Sequence, residues 1–112
     1  MEDVIAEIRK FRDERDWKQF HDPKSLAVSI SIEAAELLEH FQWIDKEQSA
    51  RHAAQNVAEI ADEIADVAIY LIELTDVLGV DLKSAIRAKL AKNAVKYPVE
   101  KSRGKITKYT KL

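Results

Sequence analysis

The sequence contains no cysteine, which removes disulfides, thiolate metal sites and thiol nucleophiles from consideration. Glycine and proline number only two each in 112 residues, too few for the turn-rich loops of an all-β chain. With abundant Ala, Leu, Ile, Glu and Lys, the chain reads as helices joined by short connections, and no alternating strand pattern opposes that reading. No apolar run is long enough to span a bilayer, and the start MEDVIAEIRK lacks the basic-then-apolar layout of a signal peptide. A soluble cytoplasmic chain without a membrane partner is expected. A net charge of -2 does not suit a binder of nucleic-acid polymers, although the end, VEKSRGKITKYTKL, is strongly basic.

One domain over 1–112 is expected, all-α, with about four helices and a basic tail from 99 to 112. A chain this short buries a modest share of its surface, so association with copies of itself is plausible. Val4, Ile5, Ile8 and Phe11 recur at helical spacing and predict a first helix over about Asp3 to Asp16. Asp22 is a natural N-cap and Pro23 a natural first helical residue, so a second helix runs from there to about Gln42. Gly79 closes the third helix near Leu78, and Asp81 caps a fourth that stops by Tyr97, ahead of Pro98.

The start of the third helix is decided by geometry. Asp45 to Gln48 has the layout of a capping box. A direct hairpin from there would leave Glu33 and Glu63 roughly 12 Å out of step at 1.5 Å per residue. A short helix or turn near Lys46 to His52, with the third helix proper starting around Ala53 to Gln55, removes the mismatch.

Register matters because the two central helices carry the same pattern twice. At an offset of thirty residues, Ile30 matches Ile60, Glu33 Glu63, Glu36 Asp66, Leu37 Val67, His40 Tyr70 and Phe41 Leu71. Turning at 100° per residue, Leu26, Ile30, Ala34, Leu37 and Phe41 form one apolar arc, and Ile60, Ile64, Val67, Leu71 and Leu74 the other. Packed antiparallel, the helices bring Glu33, Glu36, Glu63 and Asp66 together at the edge of a shared seam. Acids three apart are common on solvated faces, and the chain has others, such as Glu73 and Asp76. Four converging carboxylates repel one another unless they take up protons or hold a cation. Oxygen-only ligands favour Mg²⁺, with Mn²⁺ or Ca²⁺ behind it, and Mg²⁺ on helix carboxylates points to phosphate chemistry.

Other polar residues fit that chemistry and also have plainer explanations. Lys89, Asn93 and Lys96 share a helix face that could meet a polyphosphate or be a solvated basic stripe. Trp17 and Trp43 stand at helix ends, placed to stack on a base or to close the core or an interface. His21 could donate to a ligand or order its turn.

The segments RDWKQFHDPKSL, SIEAAELLEHFQW, DEIADVAIYL and KNAVKYP together resemble the all-α nucleoside triphosphate pyrophosphohydrolases of the MazG type. Within that group the resemblance is to the short single-domain branch that includes the dCTP pyrophosphatases, and it spans about Ile5 to Pro98. It implies a helical bundle completed as a homodimer or dimer of dimers. It also implies Mg²⁺, with Mn²⁺ as a substitute, at Glu33, Glu36, Glu63 and Asp66, and cleavage of a nucleoside triphosphate to monophosphate and pyrophosphate. Trp17, Trp43, His21 and Tyr70 correspond to pocket residues, and Lys89, Asn93 and Lys96 to phosphate-side contacts. Glu33 or Glu36 is expected to activate the water. One departure is Asp62 where relatives often have Glu, which leaves the ligands intact. Two alternatives are a phosphoribosyl-ATP pyrophosphohydrolase on the same fold and a non-enzymatic helical dimerisation module.

Overall fold

A computed structural model describes residues 1–112. It is all-α, with six helices: α1 Glu2–Glu14, α2 Pro23–Glu39, α3 Lys46–Gln55, α4 Val57–Leu78, α5 Leu82–Lys96 and α6 Val99–Ser102. The chain divides into two compact units, Met1–Gly79 and Val80–Leu112.

In the first unit α1 ends two residues before the expected Asp16, because Asp16 takes a left-handed conformation (φ 53°) that breaks the helix. Aspartate tolerates that conformation better than most residues. Its carbonyl and carboxylate accept from the Gln19 amide, and the Trp17 backbone N–H returns to the Arg12 carbonyl at 3.1 Å. A 3-10 turn over Lys18–Phe20 then leads to His21. Asp22 caps α2 as anticipated, accepting from the Ser25 N–H at 2.9 Å. α2 stops at Glu39, three residues short of Gln42, and the chain continues through a turn carrying Phe41 and Trp43.

The break before the long helix is present. Asp45 and Gln48 form the reciprocal capping box, at 2.8 and 2.9 Å, and start α3, which extends to Gln55. Asn56 ends α3 and begins α4, so the long helix proper starts at Val57, slightly later than the sequence expectation. Gly79, at φ 67°, closes α4.

The principal packing is α2 against α4, with α1 and α3 also on α4. Leu26 on α2 and Ile72 on α4 are the buried apolar residues. The apolar arcs divide in a way the helical wheel did not show. Ile60, Val67 and Leu74 are half-buried, whereas Ile64 and Leu71 remain 54% and 41% exposed. They lie at the far edge of the arc, beyond the cover of α2. With Val57 and Leu78 they form an exposed stripe at seven-residue intervals.

α1 is tied to α4 by charge. Arg12, 3% exposed, donates to Asp76 at 2.6 Å and to Asp13 at 2.8 Å, and Arg9 reaches the other Asp76 oxygen.

In the second unit, Asp81 caps α5 through the Ser84 N–H at 3.1 Å, and the helix ends at Lys96. The tail has more order than its composition suggested. Beyond α6 it forms a 3-10 turn at Tyr109–Lys111, where the Tyr109 ring meets Tyr97 edge-on at 5.8 Å and the Lys96 ammonium at 4.8 Å.

Candidate metal and nucleotide site

The repeated pattern on α2 and α4 produces a carboxylate cluster. Glu33, Glu36 and Glu63 each offer an oxygen, and these oxygens lie within 4.8 Å of one another. Glu36 faces Glu63 while Ser29 lies beside Tyr70, so the helices run antiparallel. Asp66, the fourth expected acid, is exposed and stands outside this group of three. It is still near enough for its charge to act on Glu33 and Glu63.

Burial is the largest cause that raises Glu33 and Glu63 above the usual carboxylate range, followed by the neighbouring carboxyl group of Glu36. One oxygen of Glu33 and one of Glu63, both Oε2, are buried without a partner. Buried polar atoms are normally paired. Two orphaned oxygens in an all-carboxylate group fit a hard divalent cation, which would satisfy them and cancel the repulsion.

A histidine chain borders the cluster, and sequence reasoning noticed only its first member. Asn56 donates its amide to the His52 carbonyl at 2.9 Å, which orients that amide toward His52 Nδ1 at 3.3 Å. His52 Nε2 and His40 Nδ1 lie 3.0 Å apart, within hydrogen-bonding distance. The residues bring together Glu36, Glu39, Glu63 and the two histidines around an open depression.

Beside the acids lies a cavity of about 620 Å³ between α1 and α4. Val4, Ile8 and Phe11 form one wall and Ile69 and Ile72 the other, with Trp17 and His21 at the turn after α1. Asp66 and Tyr70 also line it, so the cavity adjoins the acid cluster. Trp17 is 45% exposed and meets Phe11 edge-on at 5.8 Å. Burial first, then the nearby charges of Glu33, Glu73 and Asp66, raise the Tyr70 phenol above its usual value.

Trp43 is 86% exposed in the turn after α2, outside the cavity lining. Lys89, Asn93 and Lys96 follow one face of α5 in the second unit, with Asn93 half-buried and Lys96 over the Tyr109 ring. Sequence reasoning passed over Glu73, grouping it with Asp76 as an ordinary acid pair. The structure separates them, with Asp76 held by two arginines and Glu73 buried in the cavity wall. An acid flanked by Ile72 and Leu74 was the available signal.

The profile of the MazG-like family matches residues 28–112, which takes in α2 from Val28 onward, the acid cluster and everything after it. This chain belongs to the MazG-like family. Its match to dCTP pyrophosphatase 1 of Bos taurus is 39% identical over 114 aligned residues, covering 100% of this chain and 68% of that protein. The Homo sapiens dCTP pyrophosphatase 1 is 37% identical, covering 100% of this chain and 67% of its own. Among solved structures, a pyrophosphatase from Archaeoglobus fulgidus superposes with a TM-score of 0.85 at 46% identity, over 88% of this chain and 92% of that one. In this MazG-like chain no helix is long and apolar enough to cross a membrane.

Proposed function

We propose that this MazG-like protein is a Mg²⁺-dependent nucleoside triphosphate pyrophosphohydrolase that acts on dCTP or a modified dCTP, giving the monophosphate and pyrophosphate. The observation that carries the reading is the convergence of Glu33, Glu36 and Glu63 with two orphaned buried oxygens, beside a cavity walled by aromatic and apolar side chains. The names of the relatives support the reaction class and favour cytosine.

Glu33, Glu36 and Glu63, with Asp66 at their edge, would hold the metal. When bound, Mg²⁺, or Mn²⁺ in its place, would supply positive charge for the triphosphate oxygens and lower the pKa of a water. Glu36 or Glu33 would take a proton from the water that attacks between the α and β phosphates, with pyrophosphate leaving. Trp17, His21 and Tyr70 enclose the nucleoside in the cavity, and Trp43 closes over it from a neighbouring copy. Lys89, Asn93 and Lys96 belong to the phosphate side. The protein works as a homodimer or dimer of dimers, a reading supported by the stripe Val57, Ile64, Leu71 and Leu78 left exposed on one protomer, and its setting is the cytoplasm.

The test is product analysis by anion exchange after incubation with Mg²⁺ and, separately, each of the four dNTPs, CTP and 5-methyl-dCTP. Monophosphate plus pyrophosphate, fastest from the cytosine deoxynucleotides, is expected. Hydrolysis of phosphoribosyl-ATP alone would move the chain to the other activity on this fold. No hydrolysis of any substrate would leave a helical dimerisation module.

A further inference from the structure

The cavity holds a buried acid that neither the metal cluster nor the fold uses. Glu73 is 5% exposed, and its Oε2 has no hydrogen-bond partner. His21 is the nearest base, but its Nε2 lies 3.7 Å from that oxygen, beyond hydrogen-bonding distance, and its own Nδ1 is also buried and unpartnered. Arg12, which also acts on Glu73, donates instead to Asp13 and Asp76. A structural acid at this depth would be paired, as Asp76 one turn away is. Two unspent buried polar atoms in a largely apolar cavity are what a site keeps for a ligand.

Their position suits one end of a nucleotide. Asp66, Tyr70 and Glu73 all line the cavity, at intervals of four and three residues along one face of α4. Asp66 and Glu73 are separated by about 10 Å of helix rise. That spacing sets a metal-bound phosphate at one end and a base at the other, with the sugar along Tyr70.

We propose that Glu73 is the base-reading residue of this cavity, its buried carboxyl oxygen accepting from the exocyclic amino group of cytosine. The inference rests on the nucleotide reading given above. Burial raises Glu73 above the usual carboxylate range, against the pull of His21 and Arg12. A donor to its orphaned oxygen favours the ionised carboxylate, which only accepts. Cytosine supplies that donor from its N4 amino group. Uracil presents the acceptor O4 in the same place, which the carboxylate repels.

The test measures binding by calorimetry, so that it does not depend on turnover. The probes are dCMP, dUMP and the 2-pyrimidinone deoxyribonucleoside monophosphate, which keeps N3 and lacks the amino group. The wild-type protein with Mg²⁺ should bind dCMP at least about tenfold more tightly than either analogue, because a site built for a donor is left unpaired without it. Glu73→Leu should bring the three affinities within about threefold of one another. Glu73→Gln, which stays polar if the leucine variant unfolds, should narrow the dCMP-to-dUMP ratio because an amide serves either edge. A wild-type preference for dCMP that persists unchanged in a folded Glu73 variant overturns the proposal. So does the lack of any preference, or of any binding, in the wild-type protein. Triphosphate hydrolysis, assayed separately, shows whether the enzymatic reading survives in either case.

Discussion

The acids of this chain fall into groups with opposite electrostatic consequences. Asp76 is held below the usual carboxylate range, chiefly by the Arg12 hydrogen bond, so it stabilises the fold above its ordinary pKa and loses that contribution as pH falls through the lowered value. Asp76→Asn should cost about 3 kcal/mol at neutral pH, since it leaves Arg12 buried without its counter-charge. Thermal denaturation against pH checks this, and the gap to wild type should close in acid. Glu33 and Glu63 behave in the reverse sense. Raised by burial and by Glu36, their favourable contribution to the metal-free fold is complete below the ordinary glutamate pKa and is lost as pH rises through the raised one. Metal-free Glu63→Gln should therefore melt at or above the wild-type temperature at neutral pH and match it in acid. In the same preparation it should lose turnover, measured as pyrophosphate released from dCTP. Near-normal turnover would remove Glu63 from the site.

At the scale of the element, α4 packs on several faces. One meets α2, one meets α1 through Ile72 and Asp76, and a third carries Val57, Ile64, Leu71 and Leu78 without cover in the protomer. The seven-residue spacing drifts by about 20° per repeat on a straight helix, which still keeps four side chains along one flank. Placing charge there by the double substitution Ile64→Glu and Leu71→Glu should yield a folded monomer by sedimentation, with helicity retained by circular dichroism. A variant that still assembles would place the contact on another face. The core contact behaves differently. Leu26 is 1% exposed against α4, and Leu26→Ala should cost about 3 kcal/mol through lost transfer energy and the cavity left behind. A denaturant titration reads that loss.

At the scale of the whole molecule, binding and folding are linked. A ligand that fills the carboxylate cluster and the cavity stabilises the native state by about 2.7 kcal/mol when present at a hundred times its dissociation constant. Mg²⁺ and a non-hydrolysable dCTP analogue together should raise the melting temperature more than the sum of their separate effects, since the triphosphate supplies ligands to the metal. A chain whose acids are only a solvated face would show no such rise. The basic tail beyond Pro98 belongs to the second unit, where Tyr109 packs against Tyr97 and Lys96.

The sequence by itself determined the helical class, the caps at Asp22, Asp45 and Asp81, and the stop at Gly79, because each depends on chemistry within a few residues. It also determined that Glu33 and Glu63 would meet, since helix period and rise fix register once a break near residue 52 is required. Tertiary structure decided what lay beyond those local rules. It left Ile64 and Leu71 in the open, because a wheel gives the angle of a side chain and not the width of the neighbour that covers it. It drew three of the four acids together and set Asp66 in the lining of the cavity. It also divided Glu73 from Asp76, two acids alike in sequence, by giving one a pair of arginines and the other a buried wall with no partner, since burial and counter-charge arise only when α1 docks on α4.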